Sequence, residues 1–318
     1  MTSPFIHHVS VMNRDHKQSF QFYHKLLGLD FLLKTVNQDD LEMYHLFFGD
    51  TTGRPGTEFS VFEVKNGNDK TFGTNSLERT VFAVPSEESL TFWHERLEAA
   101  GVFTCDIEQY DGRSILRFED QDGVQLAVMA VPQREGEAYY GRETDDIPLQ
   151  HAIYGIHAFH SRVRYSAASI RSLQQLFDVE VARTFVDQQH NVTVVRLKGD
   201  TLFDQELHFI EDRHRALEVS GVGAVQHIAL NATSYSHLLE LEDGLLAKNM
   251  YNSGIKDREF FQSIYYREPN SLLIEIATEY TNFTKEPIDT TDFDAIPLML
   301  PEFLEKRRGW IESKLKEQ

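Results

Sequence analysis

Along most of this chain apolar residues alternate with polar ones or run together in short blocks, and helical spacing interrupts them at regular places. Phe5–Met12 alternates faces in the manner of a strand. Asp15–Leu27 follows with Phe20, Tyr23, Leu26 and Leu27 at helical spacing, and Gly28 suits the C-terminal cap. Phe31–Val36, Met43–Phe48 and Glu58–Val64 then read as strands, separated by Asp39-Asp40 and by a Gly- and Pro-bearing stretch from Gly49 to Gly56. The predicted order is βαβββ. It starts again with strand Leu77–Val84, helix Pro85–Ala100 closed by Gly101, and strands Phe103–Glu108, Ser114–Glu119 and Val124–Val131. A third unit runs through strand Gly155–Val163, a helix over Ala167–Phe177 and strands over Glu180–Val186, Val192–Lys198 and Glu206–Ile210. The fourth begins at Val225, has a helix over Tyr235–Asn249, and ends in a hairpin whose turn is Glu268-Pro269-Asn270-Ser271. Four units of one build are an internal repeat.

The expected fold class is therefore α+β: four repeated βαβββ modules arranged as two halves, with modules 1 and 4 facing each other across a shared site. The halves are expected at 1–132 and 151–280, joined by a polar, punctuated linker at 133–150. The extension 281–318 contains Glu305–Lys316, where Trp310, Ile311 and Leu315 recur at helical intervals, as in a docking helix.

Two strands break their own apolar pattern. Leu272–Thr278 carries Glu275 among apolar neighbours, and a carboxylate is expensive to bury without a partner. Val222–Asn231 is interrupted by His227 in the same way. Matching Leu27-Gly28-Leu29-Asp30 to Phe177-Asp178-Val179-Glu180 sets His157 on His7 and Ala158 on His8. Matching Gln226-His227-Ile228-Ala229-Leu230 to His7-His8-Val9-Ser10-Val11 makes His8 and His227 an equivalent pair. Alternation puts His7 on the opposite face of its strand from His8. Counted from the turn prolines Pro55 and Pro269, Val61 falls where the fourth module has Glu275, and Ala158 marks a module with no ligand. The expected metal ligands are His8, His227 and Glu275, a two-histidine, one-carboxylate set that leaves open positions.

Composition narrows the function without choosing it. At 318 residues, 41% hydrophobic and 25% charged, the chain has the make-up of a globular protein large enough for two domains. A formal net charge of -19 argues against nucleic acid or an anionic membrane as the main partner. No apolar run is long enough to span a bilayer, and MTSPFIHHVS lacks the pattern of a signal segment. Cys105, the single cysteine, excludes an internal disulfide and a Cys-rich zinc site; it is expected to be buried, and the expected setting is cytoplasmic. Of the 14 histidines, His45, His157, His160 and His208 are read as structural.

With the repeat and the triad in place, the chain resembles the vicinal oxygen chelate (glyoxalase/extradiol dioxygenase) superfamily, and within it the ring-cleaving dioxygenases that act on hydroquinones. The likeness is carried by FIHHVSV, FYHKLLGLDFLLKTVNQDDLEMYHLFFGDTTGRPGT, FAVPSEESLTFW, IPLQHAIYGIHAFHS, GAVQHIAL and the tail LPEFLEKRRGWIESKLKEQ. It implies a mononuclear metal, normally Fe(II) and in some relatives Mn(II), on the same His8, His227 and Glu275. It also implies that Arg258, Tyr265 and His7 lie near the bound substrate. Arg258 would meet developing negative charge, Tyr265 would donate a hydrogen bond, and His7 would move protons. The resemblance departs at Gln226, where the family often has a second histidine, and at Arg258, near where catechol-cleaving relatives carry a histidine. The second departure favours a hydroquinone. The expected partners are a small aromatic diol and O₂, with no nucleic acid and no membrane, and a homo-oligomer is the expected assembly. The alternatives are a glyoxalase-type metal-dependent lyase or isomerase, and a non-catalytic protein that binds a small aromatic.

Overall fold

The computed structural model describes residues 2–132, 140–279 and 288–317. Residues 133–139 of the expected linker, and 280–287 where the extension was expected to begin, lie outside the described residues.

Module 1 comprises β1 (Ile6–Asn13), α1 (His16–Phe20), β2 (Asp30–Asn37), β3 (Asp40–Gly49) and β4 (Glu58–Glu63). Asp15 caps α1 by accepting from the Gln18 amide at 2.8 Å, which satisfies one of the orphan donors of a helix start. The helix widens into a π turn over Gln21–Leu26, which apolar spacing alone does not distinguish from an α turn. Gly28 closes it at φ +72°, and a Cβ there would meet Ile147 at 2.6 Å.

Module 2 comprises β5 (Ser76–Val84), α2 (Glu87–Ala99), β6 (Glu108–Tyr110), β7 (Arg113–Glu119) and β8 (Gln125–Ala130). Here the strand expected over Phe103–Glu108 shrinks to Glu108–Tyr110. Phe103 faces solvent, and Thr104 makes only an isolated bridge to Phe118. Cys105, expected to be buried, is half-buried.

Module 3 comprises β9 (Gly155–Val163), α3 (Ser166–Gln174), β10 (Glu180–Asp187), β11 (His190–Leu197) and β12 (Gln205–Glu211). Module 4 comprises β13 (Val225–Ala232), α4 (Tyr235–Ala247), β14 (Lys256–Asp257), β15 (Gln262–Arg267) and β16 (Leu273–Thr278). The tail forms α5 (Glu302–Glu305) and α6 (Arg308–Glu317). Ile311 and Leu315 bury against Val36, flanked by Leu41 and Tyr44. Trp310 does not join them: it is 42% exposed, with the Arg307 guanidinium 4.7 Å from its ring centroid.

In every module the first strand pairs in parallel with the last, a connection that needs the long crossover supplied by the helix and the middle strands. This leaves each first strand one free edge. Across those edges β1 pairs antiparallel with β13, and β5 with β9. The result is two eight-stranded sheets, ordered β14-β15-β16-β13-β1-β4-β3-β2 and β10-β11-β12-β9-β5-β8-β7-β6. Modules 1 and 4 thus build one sheet and modules 2 and 3 the other, so the sheets cut across the halves of the sequence. One apolar cluster draws on all four modules, among them Ile6, Phe59, Phe82, Phe159 and Leu230.

Candidate metal centre

Three strands of the first sheet each bring one polar side chain to the same face. His8 stands opposite Ala229, and Ser10 opposite His227, across β1 and β13. Glu275 lies beside Ala229 across β13 and β16. The small side chains of Ala229 and Ser10 leave the space that the two imidazoles and the carboxylate fill. His8 Nε2 and His227 Nε2 are 3.0 Å apart, and Glu275 Oε2 lies 3.0 Å from the first and 2.9 Å from the second. All three residues are buried, Glu275 completely. Val61, the residue counted from Pro55 as the counterpart of Glu275, belongs to the apolar core. Ser60 is the counterpart, pairing with Ser10 as Glu275 pairs with Ala229. The stretch after Pro55 is one residue shorter than that after Pro269, and one residue reverses the face.

Neighbouring groups settle which ring nitrogens carry hydrogen. His7 Nε2 lies 3.1 Å from the Thr278 carbonyl, which only accepts, so this nitrogen donates. His7 Nδ1 is then left as an acceptor for His8 Nδ1–H at 3.0 Å, and the lone pair of His8 rests on Nε2. His7 is fully buried, and that burial lowers its pKa to about 3, which keeps it neutral. On the other side, His227 Nδ1 donates to the side-chain oxygen of Gln226, placing the His227 lone pair on Nε2 as well. Second partners of this kind are how proteins orient metal-binding histidines.

Two lone pairs and a carboxylate oxygen therefore converge within about 3 Å in a dry place. Glu275 Oε2 is in contact with the two imidazole nitrogens, but neither carboxylate oxygen accepts a well-formed hydrogen bond among the described residues. Such a buried carboxylate is costly unless a cation neutralises it. Burial pushes the Glu275 carboxyl up, but the positive charge that His8 and His227 are able to carry outweighs it and holds the group well below its ordinary range. A divalent metal would supply that attraction in their place, and the donor set of two imidazoles and one carboxylate suits it. A second cluster, His7, His8 and Glu58, shares His8 with the first. The facing Nδ1 atoms of His7 and His8 share one hydrogen, which engages the side of His8 turned toward that cluster.

The triad sits in the wall of a cavity of about 290 Å³ that is otherwise mainly apolar, with Leu33, Val36, Phe47, Phe62, Phe260 and Phe261 around it. That is near the lower end of ligand pockets, roughly 300–1,000 Å³, and suits a single substituted ring. Tyr265 stands directly opposite Glu275 across β15 and β16, with its ring edge-on to His227 at 5.5 Å between centroids. Burial, and after it the Glu275 carboxylate, pushes the Tyr265 phenol well above its ordinary value, so its hydrogen stays on. The Arg258 guanidinium lies 5.5 Å from the Tyr265 ring centroid and reaches Asp39, at the β2–β3 turn, at 2.9 Å. Arg258 and Tyr265 both line the cavity; His7 is not among its lining residues and lies behind His8.

His45, read from sequence as a strand histidine with a structural role, also lines the cavity. Its Nε2 is 2.9 Å from Ser60 Oγ, which is 2.6 Å from Ser10 Oγ, which is 3.0 Å from His227 Nε2. Alternation along β3 held the signal: Leu46 and Phe48 face the core, so His45 and Phe47 face away from it.

A family described as the Glyoxalase/Bleomycin resistance protein/Dioxygenase superfamily matches residues 5–128. The chain is 34% identical to "Putative ring-cleaving dioxygenase MhqA" of Bacillus subtilis, over 98% of each protein. The chain belongs to this superfamily. Another relative, "Chlorohydroquinone/hydroquinone 1,2-dioxygenase" of Sphingobium indicum, is 23% identical over 85% of this chain and 84% of its own. Among solved structures, a "putative dioxygenase" from Bacillus subtilis matches with a TM-score of 0.87 at 25% identity, covering 99% of this chain and 97% of that one. Glyoxalase I from Zea mays shares the superfamily fold at a TM-score of 0.65 and 12% identity, over 87% and 92% of the two chains.

Proposed function

We propose that this chain is an Fe(II)-dependent dioxygenase that opens a hydroquinone-type ring with O₂. The observation that carries this reading is the convergence of His8 Nε2, His227 Nε2 and Glu275 Oε2 within 3.0 Å on the wall of an apolar, ring-sized cavity. His8, His227 and Glu275 would hold the metal, which would supply Lewis-acid and redox chemistry there and make a phenol easier to ionise. In the reaction the carbon–carbon bond beside one hydroxyl breaks, both atoms of O₂ enter the product, and an open-chain acid results. The Bacillus subtilis relative named "Putative ring-cleaving dioxygenase MhqA", matched over 98% of each protein, supports the reaction class.

The chain's own groups have separate tasks. The phenyl rings of Phe47, Phe62 and Phe261 bind the face and edges of the substrate and keep water out. Tyr265 keeps its hydrogen and donates it to the substrate oxygen nearest Glu275. Arg258, permanently cationic, lines the cavity beside Tyr265 and stabilises negative charge as the ring opens. His7 and Gln226 hold the two imidazoles in the tautomers that present Nε2 to the metal.

The test is a labelled-oxygen experiment on iron-loaded protein with hydroquinone and methylhydroquinone. Incorporation of both labelled atoms into one ring-opened product supports the reading. A product that gains oxygen only from water would sink it.

A further inference from the structure

The second sheet contains a counterpart of the cavity just described. Laying β9 on β1 and β5 on β13 sets Ala158 on His8, because Ala158 stands opposite Val81 as His8 stands opposite Ala229. Arg79 falls on His227, since it faces His160 as His227 faces Ser10. Ala127 falls on Glu275, being beside Val81 as Glu275 is beside Ala229. Arg117 falls on Tyr265, for it pairs with Ala127 as Tyr265 pairs with Glu275. All three ligand positions have lost their metal-binding side chains. A cavity of about 250 Å³ lies on this face, against about 290 Å³ in the first sheet; of the three counterpart positions Arg79 lines it.

Its chemistry is reversed from anionic to cationic. The lining carries Arg79, Arg117, Arg162 and Arg215 against two carboxylates, Glu78 and Asp187. Arg162 is engaged by Glu78 at 2.5 Å and Asp212 at 3.2 Å, and Arg215 by Asp212 at 3.2 Å. Arg117 reaches Glu108 at 2.8 Å and Asp187 at 3.4 Å. Arg79 is different: among the described residues it has no ion-pair partner, and its Nη1 donates to the Leu126 carbonyl at 3.0 Å. Three lining side chains also carry a buried polar atom with no hydrogen-bond partner among the described residues: His160 Nε2, Arg117 Nε and Gln125 Oε1. Arg117 Nε is a donor and His160 Nε2 donates in one tautomer, so these two buried atoms call for an acceptor, whereas Gln125 Oε1 itself accepts. The first-sheet counterparts of His160 and Arg117 are Ser10, 3.0 Å from His227 Nε2, and Tyr265, opposite Glu275.

We propose that this second cavity is a binding site for a small carboxylate anion, held by the guanidinium groups of Arg79 and Arg117 with His160 Nε2–H as a third donor. The planar fork of a guanidinium matches a carboxylate in two parallel hydrogen bonds. Phe72 and Ile210 give the remaining volume an apolar wall, so the ligand is an organic acid larger than a simple ion. The site stands independently of the reaction assigned to the first cavity.

Titration calorimetry with benzoate and succinate, on the full chain, tests it. Wild-type protein is expected to bind one equivalent, Arg79→Gln to weaken binding by at least about tenfold, as for loss of one charge-assisted pair, and Arg258→Gln in the first cavity to leave it unchanged. Absence of binding at millimolar acid, dependence on Arg258 instead of Arg79, or displacement by sulfate at equal concentration would each overturn the proposal. If Arg79→Gln does not fold, crystals of the wild type soaked in 4-bromobenzoate decide. A bromine signal in the second cavity supports the site, and one confined to the first cavity, or none, removes it.

Discussion

At the residue scale, two histidines of the candidate centre depend on neighbours that would not themselves bind metal. Gln226 fixes the tautomer of His227, so Gln226→Leu is expected to cut metal affinity by about 10–100-fold, the usual cost of losing such a partner. Metal titration of wild type and variant checks this, and equal affinities would contradict it. Arg258→Gln is expected to leave metal content intact and lower kcat by about 10²–10³-fold, the scale seen when one donor aimed at developing charge is removed. A change in KM with kcat untouched would assign Arg258 to binding alone. Much of the site was legible because polar residues in apolar strands are rare, and the repeat supplied a register for His8, His227 and Glu275. Two parts were not. The counterpart of Glu275 was misplaced by one residue because strand register depends on a loop length that the sequence does not reveal. His45 is a satisfied strand histidine, as its sequence suggests, bonded to Ser60; that it also lines the cavity depends on which face its strand turns to the sheet.

At the scale of elements, helix α6 closes part of the first cavity through the segment before it. Pro301 lines that cavity, and Ile311 and Leu315 fasten the tail to β2 and β3. Ile311 is fully buried, so Ile311→Ala is expected to cost about 2–5 kcal/mol, the range for deleting a large aliphatic side chain from a packed site. Urea unfolding measures it, and a loss below about 1 kcal/mol would mean that the tail docks loosely. Most elements could be read from periodicity; Gly155–Val163 has the predicted bounds. The misses have local causes. The π turn after α1 keeps its apolar face, with Phe22 and Tyr23 buried. The stretch around Phe103 has strand-like composition but runs beside β7 with Phe103 turned to solvent.

For the whole molecule, the repeat predicted four modules, and the sheets join them in the pairs 1 with 4 and 2 with 3. That pairing was foreseeable for modules 1 and 4 only because they share the ligand set; nothing in the strands between 77 and 210 announces their partner. Acid sensitivity is also a property of the assembled fold. Burial lowers the pKa of His24 to about 4, and burial likewise lowers His157 to about 4. Between about pH 6.5 and pH 4 the unfolded chain takes up protons at these two sites and the folded chain does not, so stability falls as pH falls. At roughly 1.4 kcal/mol per pH unit for each group, the two contribute at most about 3 kcal/mol per unit in that window, offset in part by Glu218, whose carboxyl burial raises to about 7 and which acts with the opposite sign. Urea midpoints near neutrality and near pH 5 check the sign, and a midpoint that rises on acidification would contradict it. The central claim concerns the trio His8, His227 and Glu275. Its most direct test is oxygen uptake by anaerobically iron-loaded protein when methylhydroquinone is added. The account predicts one O₂ consumed per ring opened, with uptake abolished in Glu275→Gln. Full iron loading with no uptake, or uptake unchanged in Glu275→Gln, would contradict it.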